Sequence, residues 1–238
     1  MDVPARDPVR VEAMFTGIAP AYDLTNDVLS FGMHRWWKRA LVKRAGDVQG
    51  KRVLDAATGT GDLAFRFNRR VGAEGKVTAI DLSEGMLRAA SARAEREGER
   101  GIDWKRADVT RLPFEDESFD LALISFGIRN VTEPVQGLRE LGRVTRKGGR
   151  VLVLEFGAAE RSGLLTAAAR LYITRILPAL GAWVSGAGSA YRYLQQTTDT
   201  FPGGSAFASL MRAAGNLNDV RYRAFPGSFV YLYEATRT

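Results

Sequence analysis

The sequence contains no cysteine and only one histidine, His34. Disulfides and thiolate metal sites are thereby excluded, as is any device built on two histidines, so no metal is expected. A long uninterrupted hydrophobic run is also missing. The most apolar stretch, Leu164 to Val184, is broken by Arg170, Arg175 and Pro178, and a central arginine costs about 2.5–3.5 kcal/mol on insertion into a bilayer. No spanning helix is expected. The opening "MDVPARDPVR" has no apolar core of a signal peptide. Internal repeats and low-complexity linkers are lacking too. No Gly-Lys-Ser/Thr follows the glycine turn, which argues against a nucleoside-triphosphate enzyme.

What is present is a basic balance, 34 Lys and Arg against 27 Asp and Glu, for a net charge of +7. The cations are interspersed with acids, as in "ARAEREGER". That pattern predicts a solvated surface and no nucleic-acid partner. Along residues 51–157, short apolar runs alternate with helical spacing. "KRVLDAA", "GKVTAID", "IDWKRAD", "FDLALISFG" and "RVLVLEFG" read as strands, the near-continuous apolar type of a buried parallel sheet. "SEGMLRAASARAERE" reads as a helix capped by Ser83, "EPVQGLRELGRVTR" as one with proline in its first turn, ended by "KGG". Residues 9–45, 162–183 and 189–214 read as helical, and "NDVRYRAF", "PG", "SFVYLYEATR" as two strands around a tight turn. The layout is one domain: a helical extension (1–50), an α/β core (51–157), a helical insert (158–215) and a terminal strand pair (216–238).

The chemistry gathers where strands end. In an open α/β sheet, ligands bind beyond the carboxyl ends of the strands. Asp55 with the Gly59–Gly61 turn, Asp81, Asp108 and Ser125 all stand at such ends. Gly59, Gly61 and Ala64 satisfy a dinucleotide fingerprint, and Asp81 lies about twenty residues further on, where a carboxylate would meet ribose hydroxyls. A nicotinamide dinucleotide oxidoreductase is therefore one reading. Charge favours another. Asp55 and Asp62 flank the turn, and two like charges about 4 Å apart cost roughly 4 kcal/mol at an effective dielectric near 20. S-adenosyl-L-methionine carries a sulfonium, an ammonium and a ribose diol, with no phosphate, and suits an acidic rim. A non-catalytic cofactor-binding assembly subunit is the third reading.

The blocks "MFTGIAPAYDLTNDVLSFGMHRWWKR", "VLDAATGTGDLA", "AIDLSEGML", "LPFEDESFDLALISFGIRNV", "RVTRKGGRVLVLEF" and "YRYL" followed by "FPGG" resemble the ubiquinone/menaquinone biosynthesis C-methyltransferases, within the class I S-adenosylmethionine-dependent methyltransferases. The resemblance runs from about Val9 to Arg237. It implies a Rossmann-like fold with a mostly parallel seven-stranded sheet and an antiparallel C-terminal strand pair. It implies methylation of a ring carbon of a polyprenyl quinol, with ubiquinone and menaquinone precursors both open. By resemblance Gly59, Thr60 and Gly61 approach the cofactor, Asp81 takes the ribose, Asp108 and Val109 the adenine, and Ser125 sits near the transferred methyl. Arg129 is expected to stabilise the developing phenolate and Tyr22 to hydrogen-bond cofactor or quinol. Lys38 or Arg35 is the expected donor to the cofactor's carboxylate, and Phe31, Trp36 and Trp37 with the helix from Leu164 are expected to wall a greasy pocket. The lipid-soluble tail implies a cytoplasmic enzyme that visits the inner face of the membrane, expected through Arg161, Arg170 and Arg175 beside Leu164, Leu165, Leu171 and Ile176. Self-association stays open.

Overall fold

Apolar runs flanked by glycine turns become the strands of a central sheet. In this computed structural model, the structure describes residues 12, 16–17, 27, 30–160, 162–171 and 200–238. Helix α1 (Met33–Ala45) leads into β1 (Arg52–Ala56), α2 (Asp62–Val71), β2 (Lys76–Asp81), α3 (Glu84–Glu97) and β3 (Ile102–Arg106). Then come β4 (Phe119–Ser125), a 3₁₀ turn (Ile128–Asn130), α4 (Pro134–Val144), β5 (Thr145–Phe156) and α5 (Leu164–Leu171). Helix α6 (Gly204–Ala213), β6 (Leu217–Ala224) and β7 (Val230–Arg237) close the described chain. The seven strands form one sheet in the order β3-β2-β1-β4-β5-β7-β6. Strands β1 to β5 are mutually parallel, and β7 pairs antiparallel with both β5 and β6.

The local signals act as their chemistry predicts. Ser83 caps α3, its hydroxyl accepting the Met86 amide at 3.2 Å, and Pro134 opens α4. Central strands β1 and β4 are buried along nearly their whole length, because helices cover both sheet faces. One face packs Leu54, Ile124, Leu138, Leu141, Phe207 and Met211 together. The other packs Trp37, Leu41, Leu63, Phe67, Leu123 and Leu152.

Two details differ from the sequence pattern. "KGG" does not end α4, which stops at Val144; Thr145 already pairs with Phe119, and residues 146–149 bulge out before Arg150 pairs with Leu121. Pairing to the neighbouring strand outweighs the glycine stop signal there. The terminal strand pair exists, but β7 lies inside, against β5, and β6 forms the edge. Only β7 therefore runs against the rest. The expected helical stretches over 172–183 and 189–199, and most of 9–29, lie outside the described residues.

Candidate active site

Strand order reverses at β1: the chain steps outward from β1 to β2 and β3, then returns to β4 on the other side of β1. Such a switch point leaves a crevice above the strand ends. A cleft of about 250 Å³ opens there, walled by Gly59, Asp81, Asp108, Val109 and Ser125 among others. These five sequence-predicted residues, from the ends of four strands, thus share one space. Apolar Ile80 and Met86 complete its wall.

The cleft depends on close backbone approach. A Cβ on Gly127 would stand 2.5 Å from the Cβ of Ala57, so the loops after β1 and β4 can meet only over a glycine. Ala57 (φ 53) and Phe126 (φ 56), both on the wall, adopt left-handed backbone without being glycine. Such strain persists where surrounding structure over-determines the chain, commonly at ligand sites. Asp55, Thr60 and Gly61 do not line the cleft. Gly61 (φ 85) is required for another reason: an added Cβ would lie 2.8 Å from the Trp104 ring.

The acids around the turn behave differently from the charge argument made on the sequence. Asp62 pairs with Lys38 at 3.1 Å and with Arg66 at 3.0 Å. Burial would raise its carboxyl, but those two cations outweigh burial and hold it well below the usual range. Asp55 is buried and accepts the neutral Thr58 hydroxyl at 2.7 Å and the Ala64 amide. Burial pushes it up to about 7, against those hydrogen bonds. One flanking charge is therefore neutralised and the other is about half protonated at neutrality. Repulsion by these two acids is not what disfavours a phosphate. The turn's own amides are: Thr58 N donates to Ile80 O, Gly59 N to Asp81 Oδ2 and Gly61 N to Thr58 O. A pyrophosphate needs free amides, and these three are already committed.

Asp81 is one of the carboxylates that line the cleft. Its oxygens accept the Gly59 amide and the Ser83 amide, both at 2.9 Å. Burial raises its carboxyl, with these amides opposing the shift. A carboxylate has about four acceptor positions, so capacity remains for ribose hydroxyls. Asp108 uses Oδ1 for the Thr110 amide and hydroxyl, each at 2.8 Å. Ser125 Oγ and Asn130 Oδ1 are buried on the same wall without a protein partner. Unsatisfied buried polar atoms in a cleft are what a ligand would satisfy. The donor set therefore fits an adenosine bearing a cationic group: carboxylates, orphaned polar atoms and apolar walls.

Arg129 departs from its expected place. It is buried, does not line the cleft and carries a carboxylate partner. Its Nη1 donates to Glu155 Oε1 at 2.6 Å and to Phe126 O at 2.7 Å. Glu155 also accepts the Arg129 amide at 3.2 Å and the Phe156 amide at 2.8 Å. Burial raises the Glu155 carboxyl, opposed by Arg129. A guanidinium already neutralised by a buried acid is a poor free cation for a phenolate; here it ties the loop after β4 to the end of β5. Lys38 and Arg35 are likewise taken, by Asp62 and Asp27, and are not the free donors expected for a cofactor carboxylate. Tyr22, Arg161, Arg175 and the side chain of Arg170 lie outside the described residues.

Beside the cleft stands an aromatic group. Trp37 meets Phe126, Phe156 and Phe225, with ring centroids 5.9–6.3 Å apart. Trp36 packs edge-on against Phe225 at 5.0 Å. Sequence reading missed Glu155, Asn130 and Met86. Only Glu155 left a signal, a charge inside the apolar strand "VLVLEF", which demands a buried partner.

A model of the ubiE/COQ5 methyltransferase family matches residues 5–237. The chain belongs to this family. A ubiquinone/menaquinone biosynthesis C-methyltransferase UbiE from Bdellovibrio bacteriovorus is 44% identical, over 97% of this chain and 97% of that protein. The protein of the same name from Idiomarina loihiensis is 40% identical, over 94% of this chain and 88% of that one. Among solved structures, a SAM-dependent methyltransferase from Aquifex aeolicus superposes with a TM-score of 0.61 at 20% identity, covering 84% of this chain and 89% of that chain. The [4+2]-cyclase SpnF reaches 0.64 at 19%, covering 100% and 99%. A cyclase and a methyltransferase on one scaffold show that the fold alone does not carry the reaction; membership of the ubiE/COQ5 family does, and it favours methyl transfer over hydride transfer.

Proposed function

We propose that this member of the ubiE/COQ5 family methylates a ring carbon of a polyprenyl quinol, demethylmenaquinol first, with S-adenosyl-L-methionine as donor. The carrying observation is the extent of the likeness: relatives named for ubiquinone/menaquinone biosynthesis match over nearly the full chain, so the parts outside the α/β core are shared as well. The arrangement of the cleft supports the donor. Asp81 holds the ribose, Asp108 and Val109 the adenine, and Ile80 and Met86 pack its faces, while Gly59 keeps the wall low. Asp55, Thr60 and Gly61 act from behind the wall by shaping the turn.

When bound, the cofactor supplies an electrophilic methyl on a positively charged sulfur. The chain's task is to make the ring carbon nucleophilic and aligned. Ionising a phenolic hydroxyl of pKa about 10 at neutral pH costs roughly 4 kcal/mol. The Ser125 hydroxyl, unpartnered on the wall, is placed to donate to the developing oxyanion. Arg129 serves as a positioning residue: through Glu155 it holds the loop that carries Ser125 to Asn130. Alignment of the reacting atoms supplies a further ~7–11 kcal/mol in favourable cases. Trp37, Phe126 and Phe156 shelter the greasy side of the substrate. Among the described residues no helix is long and apolar enough to cross a membrane. The lipid-soluble tail of the substrate is the reason to place the encounter at the cytoplasmic surface of the bilayer.

Methyl-labelled cofactor incubated with demethylmenaquinol tests this. Label should enter the reduced quinol and not the oxidised quinone, because only the quinol can ionise to a nucleophile. Equal labelling of both, or of neither, would remove the proposal. A parallel arm with a ubiquinol precursor reports which quinol class is taken.

A further inference from the structure

Three arginines and a lysine gather on one face. Arg39, Lys43, Arg66 and Arg70 line a shallow groove of about 410 Å³ between α1 and α2. Arg66 shares its charge with Asp62, and Arg70 donates to Gly46 O. Arg39 and Lys43 make no ion pair among the described residues, and both are exposed. The same helix face carries apolar bulk. Trp36, Arg39 and Lys43 stand at positions i, i+3 and i+7 of α1, which share one side of a helix. Trp36 is 46% exposed, Met33 43% and Phe31, just before the helix, 71%. Exposed large side chains beside cations are uncommon on a surface that meets only water.

We propose that this face of α1 and α2 docks the protein onto an anionic lipid bilayer. Tryptophan prefers the headgroup level of a membrane, and clustered Lys and Arg are drawn to an anionic leaflet. The occupant follows from that charge complementarity together with the apolar edge: a nucleic acid or an acidic protein would match the cations but leave Met33 and Phe31 unexplained. The surface is continuous with the aromatic group beside the cleft. Trp36 packs on Phe225, and Phe225 meets Trp37. Helix α5 lies over the next turn, where an added Cβ on Gly227 would come 3.0 Å from the Ala169 Cβ, and its Leu171 is 55% exposed. The docking face therefore adjoins the sheltered side of the site. This deepens the quinol reading and rests on it for the reason such docking would be useful.

Cosedimentation with vesicles, without substrate, tests the surface. The protein should bind phosphatidylglycerol–phosphatidylcholine vesicles, release from them as salt rises, and ignore phosphatidylcholine alone. Each basic side chain at an anionic surface contributes roughly a fivefold gain in partitioning, so Arg39→Gln with Lys43→Gln should weaken binding about 25-fold. Trp36→Ala should weaken it as well, by an amount that salt does not change. Thermal stability and turnover on a short-tailed, water-soluble quinol should be unaltered in the double variant. Binding that is equal on both vesicle types, or equal in the double variant and parent, overturns the proposal. So does displacement of bound vesicles by an oligonucleotide that binds more tightly. A loss of short-tail turnover as large as the loss of vesicle binding would also overturn it, by placing Arg39 and Lys43 in the catalytic unit. A protein that binds anionic vesicles but methylates no quinol leaves the surface standing and removes the substrate reading; methylation without vesicle binding does the reverse.

Discussion

The two flanks of the cleft each bury a carboxylate at a strand end, and they hold it by opposite means. Asp55, at the end of β1, and Glu155, at the end of β5, are each 1% exposed. Asp55 is met by a neutral hydroxyl and the Ala64 amide, with no ion pair among the described residues, and burial pushes it up to about 7. Glu155 is met by the guanidinium of Arg129 and two backbone amides. One flank tolerates a proton in place of a counter-ion; the other is cross-linked by charge. The difference suits what each carries. The β1 turn has amides already tied to Thr58, Ile80 and Asp81, so it is held without a counter-ion on Asp55. The loop after β4 holds a residue in left-handed backbone, Phe126, and needs a strong tie to stay there.

Breaking the tie on the β5 side should have the largest effect. Arg129→Ala leaves Glu155 buried without its cation, and removing one partner of a buried pair costs about 3–5 kcal/mol. Urea denaturation should show that loss. The double change Arg129→Ala with Glu155→Gln should recover part of it, since no charge is then left stranded. If the single and double variants are equally unstable, the pair is not the tie.

The β1 side should respond to pH instead. An acid whose folded pKa is raised takes up a proton on folding. Its contribution is complete below the unfolded value of 3.8 and is lost as pH rises through the folded value of about 7. Asp55→Asn removes that dependence. Relative to the parent, the variant should gain roughly 3 kcal/mol between about pH 5 and about pH 8. A constant difference across that window would mean that Asp55 stays ionised in the fold.

The smallest effect sharpens the comparison at the ligand. Asp81→Asn should weaken binding of S-adenosylhomocysteine by about 1.5–3 kcal/mol, the range for hydrogen bonds to a charged group. Titration calorimetry checks it. Any stable Arg129 variant should lose turnover more than this affinity, because Arg129 acts from behind the other flank.

Much of this is legible in the sequence. Buried parallel strands leave apolar runs, and β1, β2, β4 and β5 were visible for that reason. Ser83 and Pro134 mark helix starts by local chemistry. Asp55 with the Gly59–Gly61 turn, Asp81, Asp108 and Ser125 were expected to converge; Gly59, Asp81, Asp108 and Ser125 share the cleft, and Asp55, Thr60 and Gly61 stand outside it. The charge partners were not legible. Lys38 with Asp62 and Arg129 with Glu155 are separated by more than twenty residues, and nothing local announces which cation meets which acid. That gap made Asp62 look like a free repeller and Arg129 like a free cation.

Local spacing and composition by themselves determined the alternating α/β core, the glycine turn and the strand-end groups, because helix and strand periodicities are written in neighbouring residues. Only the tertiary structure decided which carboxylates keep their charge, which amides remain free, where β7 inserts and which arginines share a face. Those outcomes depend on burial and on distances between segments remote in the chain, and both exist only once the sheet has assembled.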